Sequence, residues 1–231
     1  MRIEVCKVRC VSICIDFCCL FFVVAKCERT ADIGFVVDSS GSMRRDFSKE
    51  KQFVKDLAGT LGIGKEGGNR AGIVTFSYYA ELTAKLSDSV PSSSPSSGGG
   101  DFNALVDKVP FMGYTTRIDR ALKLVSKEMF EESNGARAGV PKILFVLTDG
   151  TQTKDRDAVD PASIASELRE KLGVHVFVIG IGRKVDPGEL SRIAGERSRL
   201  FLAKDINQLK STDLIGDISS SSCRQGTWNN E

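Results

Sequence analysis

At 231 residues the chain is long enough for one α/β domain with a sizeable core and too short for two comfortable ones. A hydrophobic fraction of 41% and a charged fraction of 27% are ordinary for a globular protein. The net charge of +2 implies no basic face and argues against nucleic acid as a partner.

Residues 1–25 read as a secretory signal peptide. Arg2, Lys7 and Arg9 form a positive n-region, residues 11–25 are apolar, and Val23-Val24-Ala25 offers small residues for cleavage after Ala25. Asp16 and the density of cysteine keep two alternatives open: a misassigned start, or an uncleaved signal anchor, the one case in which a membrane becomes a partner. Cys6, Cys10, Cys14, Cys18 and Cys19 leave with the leader. Cys27 and Cys223 remain, and an even pair bracketing a secreted domain suggests a disulfide. Closing so long a loop contributes about 5 kcal/mol in the chain-entropy model. Two free thiols, or pairing with another chain, is the alternative. The domain is expected over residues 26–223, with a C-terminal tail at 224–231.

Residues 33–37 are apolar throughout, as a central strand covered on both faces would be. They end at Asp38-Ser39-Ser40-Gly41-Ser42, a turn with one carboxylate and several hydroxyls. A helix follows, with Phe47, Val54, Leu57, Ala58 and Leu61 on one stripe. Residues 71–76 and 79–86 read as two strands joined by a turn short enough to force antiparallel pairing. Residues 87–100 form a Ser/Pro/Gly-rich insertion that cannot build a core. It reads as a flexible loop, with an O-glycosylated segment as the alternative.

A short helix is expected over 102–109. The next helix places Ile118, Ala121, Leu122, Val125 and Met129 on one face. Arg117, Asp119 and Arg120 read as its solvated start. Residues 143–147 form an apolar strand ending at Thr148-Asp149-Gly150. Asp160-Pro161 opens a helix that Gly173 stops, and residues 174–179 are another buried strand. Asp186-Pro187-Gly188-Glu189 reads as a capping box. Residues 200–202 are an edge strand, and Asp205 is expected to cap the last helix. Strands alternating with helices predict a doubly wound, mostly parallel α/β sheet with one antiparallel hairpin strand and helices on both faces.

Ligands of such sheets bind beyond the carboxyl ends of the parallel strands. Asp38, Ser40, Ser42, Thr115 or Thr116, and Asp149 all fall on turns at that edge. Two carboxylates and three hydroxyls form a shell for a hard divalent cation, with room for an outside oxygen. Here the chain resembles a von Willebrand factor type A domain over residues 32–219. The Asp38-x-Ser40-x-Ser42 pattern and Asp149 match that family's metal-ion-dependent adhesion site. The spacing to Ala121-Leu122 puts Thr116 in the threonine role, with Thr115 as the fallback. Ile118 stands where the family often has another threonine.

The resemblance implies a secreted extracellular-matrix adhesion module, in the style of matrilin-like, collagen-VI-like and coadhesin-like domains. It would bind Mg²⁺ (or Mn²⁺ or Ca²⁺) through Asp38, Ser40, Ser42, Thr116 and Asp149. A Glu or Asp of a matrix or cell-surface protein would complete the site. Topology implied by the fold brings Cys27 and Cys223 together at the far face. No small-molecule substrate and no enzymatic activity are expected. His175 is the only histidine and lies in a buried strand, so Ser-His or Cys-His catalysis lacks its parts. A metal-independent scaffold and a metal-dependent phosphohydrolase are the alternatives. Gly180-Ile181-Gly182 lacks the third glycine of a dinucleotide loop.

Overall fold

The computed structural model describes residues 30–65, 68–91, 100–210 and 212–225. Six strands, β1 (Asp32–Asp38), β2 (Arg70–Phe76), β3 (Ala80–Ala84), β4 (Lys142–Thr148), β5 (Val174–Ile181) and β6 (Leu200–Ala203), form one sheet in the order β3-β2-β1-β4-β5-β6. Every neighbouring pair is parallel except β2 and β3. The helices are α1 (Phe47–Thr60), α2 (Phe102–Asp107), α3 (Ile118–Leu124), α4 (Pro161–Leu172), α5 (Pro187–Ala194) and α6 (Thr212–Gln225).

The alternation of side chains along a strand divides the core in two. Ile33, Phe35 and Val37 pack with Phe145, Phe177 and the apolar stripe of α1 on one face. Val36, Val74, Val146 and Val178 pack with α3, α4 and α5 on the other. Phe35 stacks on Phe145 with ring centroids 5.5 Å apart, and Phe145 reaches Phe177 at 5.4 Å, so aromatic contacts tie the three central strands. The strand apolarity is therefore explained by cover on both faces, as for parallel sheets generally.

The elements themselves depart from expectation at the hairpin strand, at the end of α3 and ahead of α6. The hairpin strand covers Ala80–Ala84, and Tyr79 lies in the turn before it. Helix α3 continues as a π turn over Val125–Met129, which keeps Val125 and Met129 both buried. Met129 lies over a notch of two glycines. A Cβ at Gly72 would lie 2.7 Å from Met129 Sδ and 2.9 Å from the Ala84 carbonyl oxygen, and one at Gly34 would lie 3.4 Å from Met129 Cγ. Asp205 does not cap α6: its Oδ1 accepts from the amides of Asn207 and Gln208 and caps a 3-10 turn ahead of that helix.

Near the end of α6, Ser221 Oγ donates to the Ser198 carbonyl at 3.3 Å. Ser198 precedes β6, so α6 runs back to the amino-terminal edge of the sheet. The leader at 1–25, the Cys27–Cys223 pairing and residues 92–99 of the insertion lie outside the described residues. At the insertion's flanks, Gly100 N donates to the Asp88 carbonyl at 3.0 Å. Among the described residues no helix is long and apolar enough to cross a membrane.

Gly72→Val should lower stability by about 1–3 kcal/mol, because backbone as well as Met129 blocks the added atoms; a urea midpoint equal to the parent's would contradict the notch. His175, buried on β5, has its pKa pushed down to about 4 by burial and by the charge of Arg199. Its folded value is below the unfolded one, so the folded state binds fewer protons. Stability should be full above about pH 6.5 and fall as pH drops toward 4. His175→Gln should flatten that part of a denaturation-versus-pH curve.

Candidate metal centre

Because β1, β2, β4 and β5 are parallel, their following loops gather at one edge. Asp38 is the last residue of β1 and is fully buried. Its Oδ1 accepts from the Ser40 amide at 2.9 Å, an Asx turn that curls the chain just beyond the strand. The curl places Ser40 Oγ and Ser42 Oγ 3.1 Å apart. Ser42 Oγ in turn donates to Asp149 Oδ1 at 2.6 Å, across 107 residues of sequence. Thr148 Oγ1 donates to Asp38 Oδ2 at 2.6 Å and closes the ring from β4. Asp38, Ser40, Ser42 and Asp149 are thus linked by direct hydrogen bonds.

Thr116 is buried, whereas Thr115 is exposed. A Cβ added at Gly150 would lie 3.4 Å from Thr116 Oγ1, so this hydroxyl sits beside the residue that follows Asp149. The Thr116 loop and the loop after β4 are pinned together: Thr153 N donates to the Thr116 carbonyl at 2.8 Å, and Thr116 N donates to Thr153 Oγ1 at 3.2 Å.

Several positioning residues escape the sequence pattern. Ser39 occupies the variable place between Asp38 and Ser40, yet it staples two loops. Its hydroxyl donates to the Pro110 carbonyl at 2.9 Å and accepts from Met112 N at 2.6 Å, while its own carbonyl accepts from Gly113 N at 2.8 Å. Gly41 N donates to the Tyr114 carbonyl at 2.8 Å, and a Cβ there would lie 2.9 Å from the Gly113 carbonyl oxygen. Only glycine lets these two backbones approach so closely.

Arg117 and Asp119 are not a solvated helix start. Both are buried, at 1% and 0% exposure. Arg117 Nε and Nη2 donate to the two carboxylate oxygens of Asp119, each at 2.9 Å, and Nη1 donates to Asp155 at 3.1 Å and Asp157 at 2.9 Å. Asp119 also accepts from Gln152 Nε2 at 2.6 Å and from Val159 N at 3.2 Å. Burial raises the Asp119 pKa, but the Arg117 and Gln152 bonds outweigh it and hold the carboxyl at about 2. The carboxylates of the 155–157 turn lie at the surface and clamp this pair from outside. Glu189 does not complete a capping box; its Oε2 accepts from Gln152 N at 3.1 Å and holds the same loop from α5.

Electrostatically the centre is a conflict between acids. Burial pushes the Asp38 pKa up to about 6, with Asp149 adding repulsion against the Thr148 and Ser40 bonds. Glu50, on α1, is fully buried and raised well above its usual range by burial and by Asp38. Its Oε1 accepts from Asp38 N at 3.3 Å, while its Oε2 has no hydrogen-bond partner among the described residues. Burial also raises Asp149, against the Ser42 bond and the charge of Lys184. A buried acceptor without a donor, beside two further carboxylates, is the environment a cation relieves. Among the described residues no three or more His, Cys, Asp or Glu side chains are grouped to hold a metal. The linked Asp38, Ser40, Ser42 and Asp149 would offer a cation two carboxylates and neutral hydroxyls, a hard all-oxygen set that suits Mg²⁺, Mn²⁺ or Ca²⁺.

The von Willebrand factor type A domain model matches residues 32–214, and the chain belongs to that family. It is 34% identical to the collagen alpha-6(VI) chain of Mus musculus over 197 residues, 84% of this chain and 8% of that protein. It is 30% identical to cochlin of Bos taurus over 164 residues, 71% of this chain and 27% of that protein. The chain thus spans a minor part of these relatives, which are secreted extracellular-matrix proteins, and it falls in this extracellular group. Among solved structures, proximal thread matrix protein 1 of the mussel byssus, with a zinc-occupied MIDAS motif, superposes with a TM-score of 0.71 at 27% identity, covering 87% of this chain and 47% of that one.

Arg117→Met should destabilise the fold by about 3–5 kcal/mol, because it leaves the buried Asp119 carboxylate without its cation. Thermal or urea unfolding checks this, and a cost near zero would mean that the pair is not buried as described.

Proposed function

We propose that this chain is a divalent-cation-dependent adhesion module of the extracellular matrix, and that it binds a protein partner and catalyses no reaction. The observation that carries this reading is the 2.6 Å contact from Ser42 Oγ to Asp149 Oδ1, which joins the loops after β1 and β4 around a common point. Asp38, Ser40, Ser42, Thr116 and Asp149 would hold the cation. When bound, it supplies a Lewis-acidic position for one carboxylate oxygen of a partner's Glu or Asp.

The chain's own residues prepare that position. Asp38, buried and fixed by Thr148 and the Ser40 amide, supplies charge from beneath. Ser42 is exposed, so the cluster opens to solvent on its side. The serine and threonine ligands are neutral and leave the cation's charge incompletely offset. A partner carboxylate excluded from water can then contribute several kcal/mol. The zinc-occupied motif of the mussel structure and the matrix relatives support this use of the edge. The phosphohydrolase alternative fares badly, since Asp38 is 0% exposed and both its oxygens accept hydrogen bonds, which makes it a poor nucleophile.

Titration of the chain with Mg²⁺ or Mn²⁺ by calorimetry should show one site, lost in Asp149→Ala and weakened in Thr116→Ala, with Thr115→Ala unchanged. At about a hundredfold excess over Kd the cation should stabilise the fold by about 2.7 kcal/mol. Capture of matrix proteins that is indifferent to EDTA and to Asp149→Ala would favour a metal-independent scaffold instead.

A further inference from the structure

A near-zero net charge conceals a segregation of charges around the proposed cation position. Acidic side chains at this edge are engaged internally. Asp46 pairs with Lys49 at 2.9 Å, Asp157 with Arg117 at 2.9 Å and Arg120 at 2.8 Å, and Asp155 with Arg117 at 3.1 Å. Asp186 Oδ1 accepts from Gly188 N at 2.8 Å, and Glu189 from Gln152 N at 3.1 Å. Arg44, Arg45, Arg183 and Lys184 are all exposed, and none forms a salt bridge among the described residues.

Their placement is not scattered. Arg44 and Arg45 follow Ser42 directly in the 3-10 turn Gly41–Arg45. Arg183 and Lys184 lie in the loop after β5, and the Lys184 charge reaches Asp149. Two basic pairs thus lie on loops at this edge, one following Ser42 in the chain and one following β5, the strand next to β4. Next to the first pair lies an apolar surface. The Arg44 guanidinium sits 5.3 Å from the centroid of Phe111, which is 37% exposed, and Tyr114 on the same loop is 63% exposed.

We propose that the partner is an extended acidic peptide segment: one carboxylate takes the cation's open position, neighbouring carboxylates meet Arg44-Arg45 and Arg183-Lys184, and an apolar side chain rests on Phe111 and Tyr114. This proposal deepens the adhesion reading and rests on it. The mixed surface favours a peptide, which can set an apolar side chain against exposed Phe111 next to a carboxylate at Arg44, whereas a sulfated polysaccharide carries charge along its whole length. Opposite charge across the interface should act mainly through the association rate and be screened by salt.

The test uses the full chain and two synthetic peptides, one with a single Glu among Gly and Ser, the other with that Glu flanked by Asp and Glu and followed by Leu. In Mg²⁺ the acidic peptide should bind about tenfold or more tightly than the single-Glu peptide. That advantage should shrink as NaCl rises from about 50 to about 300 mM. An Arg44→Glu/Lys184→Glu variant should lose the advantage while still binding Mg²⁺. Equal affinities for the two peptides, both abolished by EDTA, would overturn the acidic-segment proposal and leave the cation site standing. Acidic-peptide binding that survives EDTA would overturn the joint use of bases and cation. Preferential capture of a heparin oligosaccharide, lost in the same variant, would transfer the basic pairs to a glycan and overturn the peptide assignment.

Discussion

The buried carboxylate of Asp38, linked through Ser40 and Ser42 to Asp149, organises this molecule's functional edge. Asp38, Glu50 and Asp149 arrive from β1, α1 and the loop after β4, and burial raises the pKa of each. A protein selected for stability alone would have little reason to bury Asp38 and Glu50 at 0% exposure, one of them with an oxygen that meets no donor. The proposed cation would bring the positive charge that this arrangement lacks. The hydroxyls of Ser40, Ser42 and Thr148 partly offset the strain, since each bonds within the acidic cluster.

Holding such a cluster open requires a rigid surround, and the surround is built from two kinds of staple. On one side, Ser39 and Gly41 lock the loop after β1 to residues 110–114 by backbone and hydroxyl bonds. On the other, the buried Arg117–Asp119 pair and Gln152 lock the Thr116 loop to the segment after Asp149. A buried pair of this kind contributes little net stability by comparison with a hydrophobic replacement. Its bidentate geometry instead fixes the mutual position of two loops, which an apolar contact does less sharply.

Much of the architecture is legible in the sequence because its signals are local. The apolar strands, the stripe of α1 from Phe47 to Leu61 and the Asp160-Pro161 helix start are each set by neighbours a few residues away. Asp38, Ser40, Ser42 and Asp149 are legible because their spacing and their place after strands suffice to converge them. What sequence reading loses depends on contacts between distant loops. Arg117 and Asp119 look like ordinary surface charges until the 152–159 segment folds over them. Ser39 stands at a variable place of the motif, and Glu50 is a lone carboxylate at helical spacing on the apolar stripe of α1, with nothing local to say what it meets. The π turn at Val125–Met129 belongs with a glycine notch whose members, Gly34 and Gly72, lie on two other strands. The basic pairs after Ser42 and after β5 are invisible in a net charge of +2, because what matters is which acids are already engaged.

In the proposed function, loops from distant parts of the chain hold one cation and leave a coordination position for a partner. A crystal of the chain soaked in Mn²⁺, measured at an X-ray energy where manganese scatters anomalously, tests it most directly. A single strong peak is expected within about 2–2.5 Å of the Ser40 and Ser42 hydroxyl oxygens, close to Asp38, Thr116 and Asp149, with at least one ligand that is solvent or a neighbouring carboxylate. A peak elsewhere, none at all, or an ion fully enclosed by protein oxygens would contradict it.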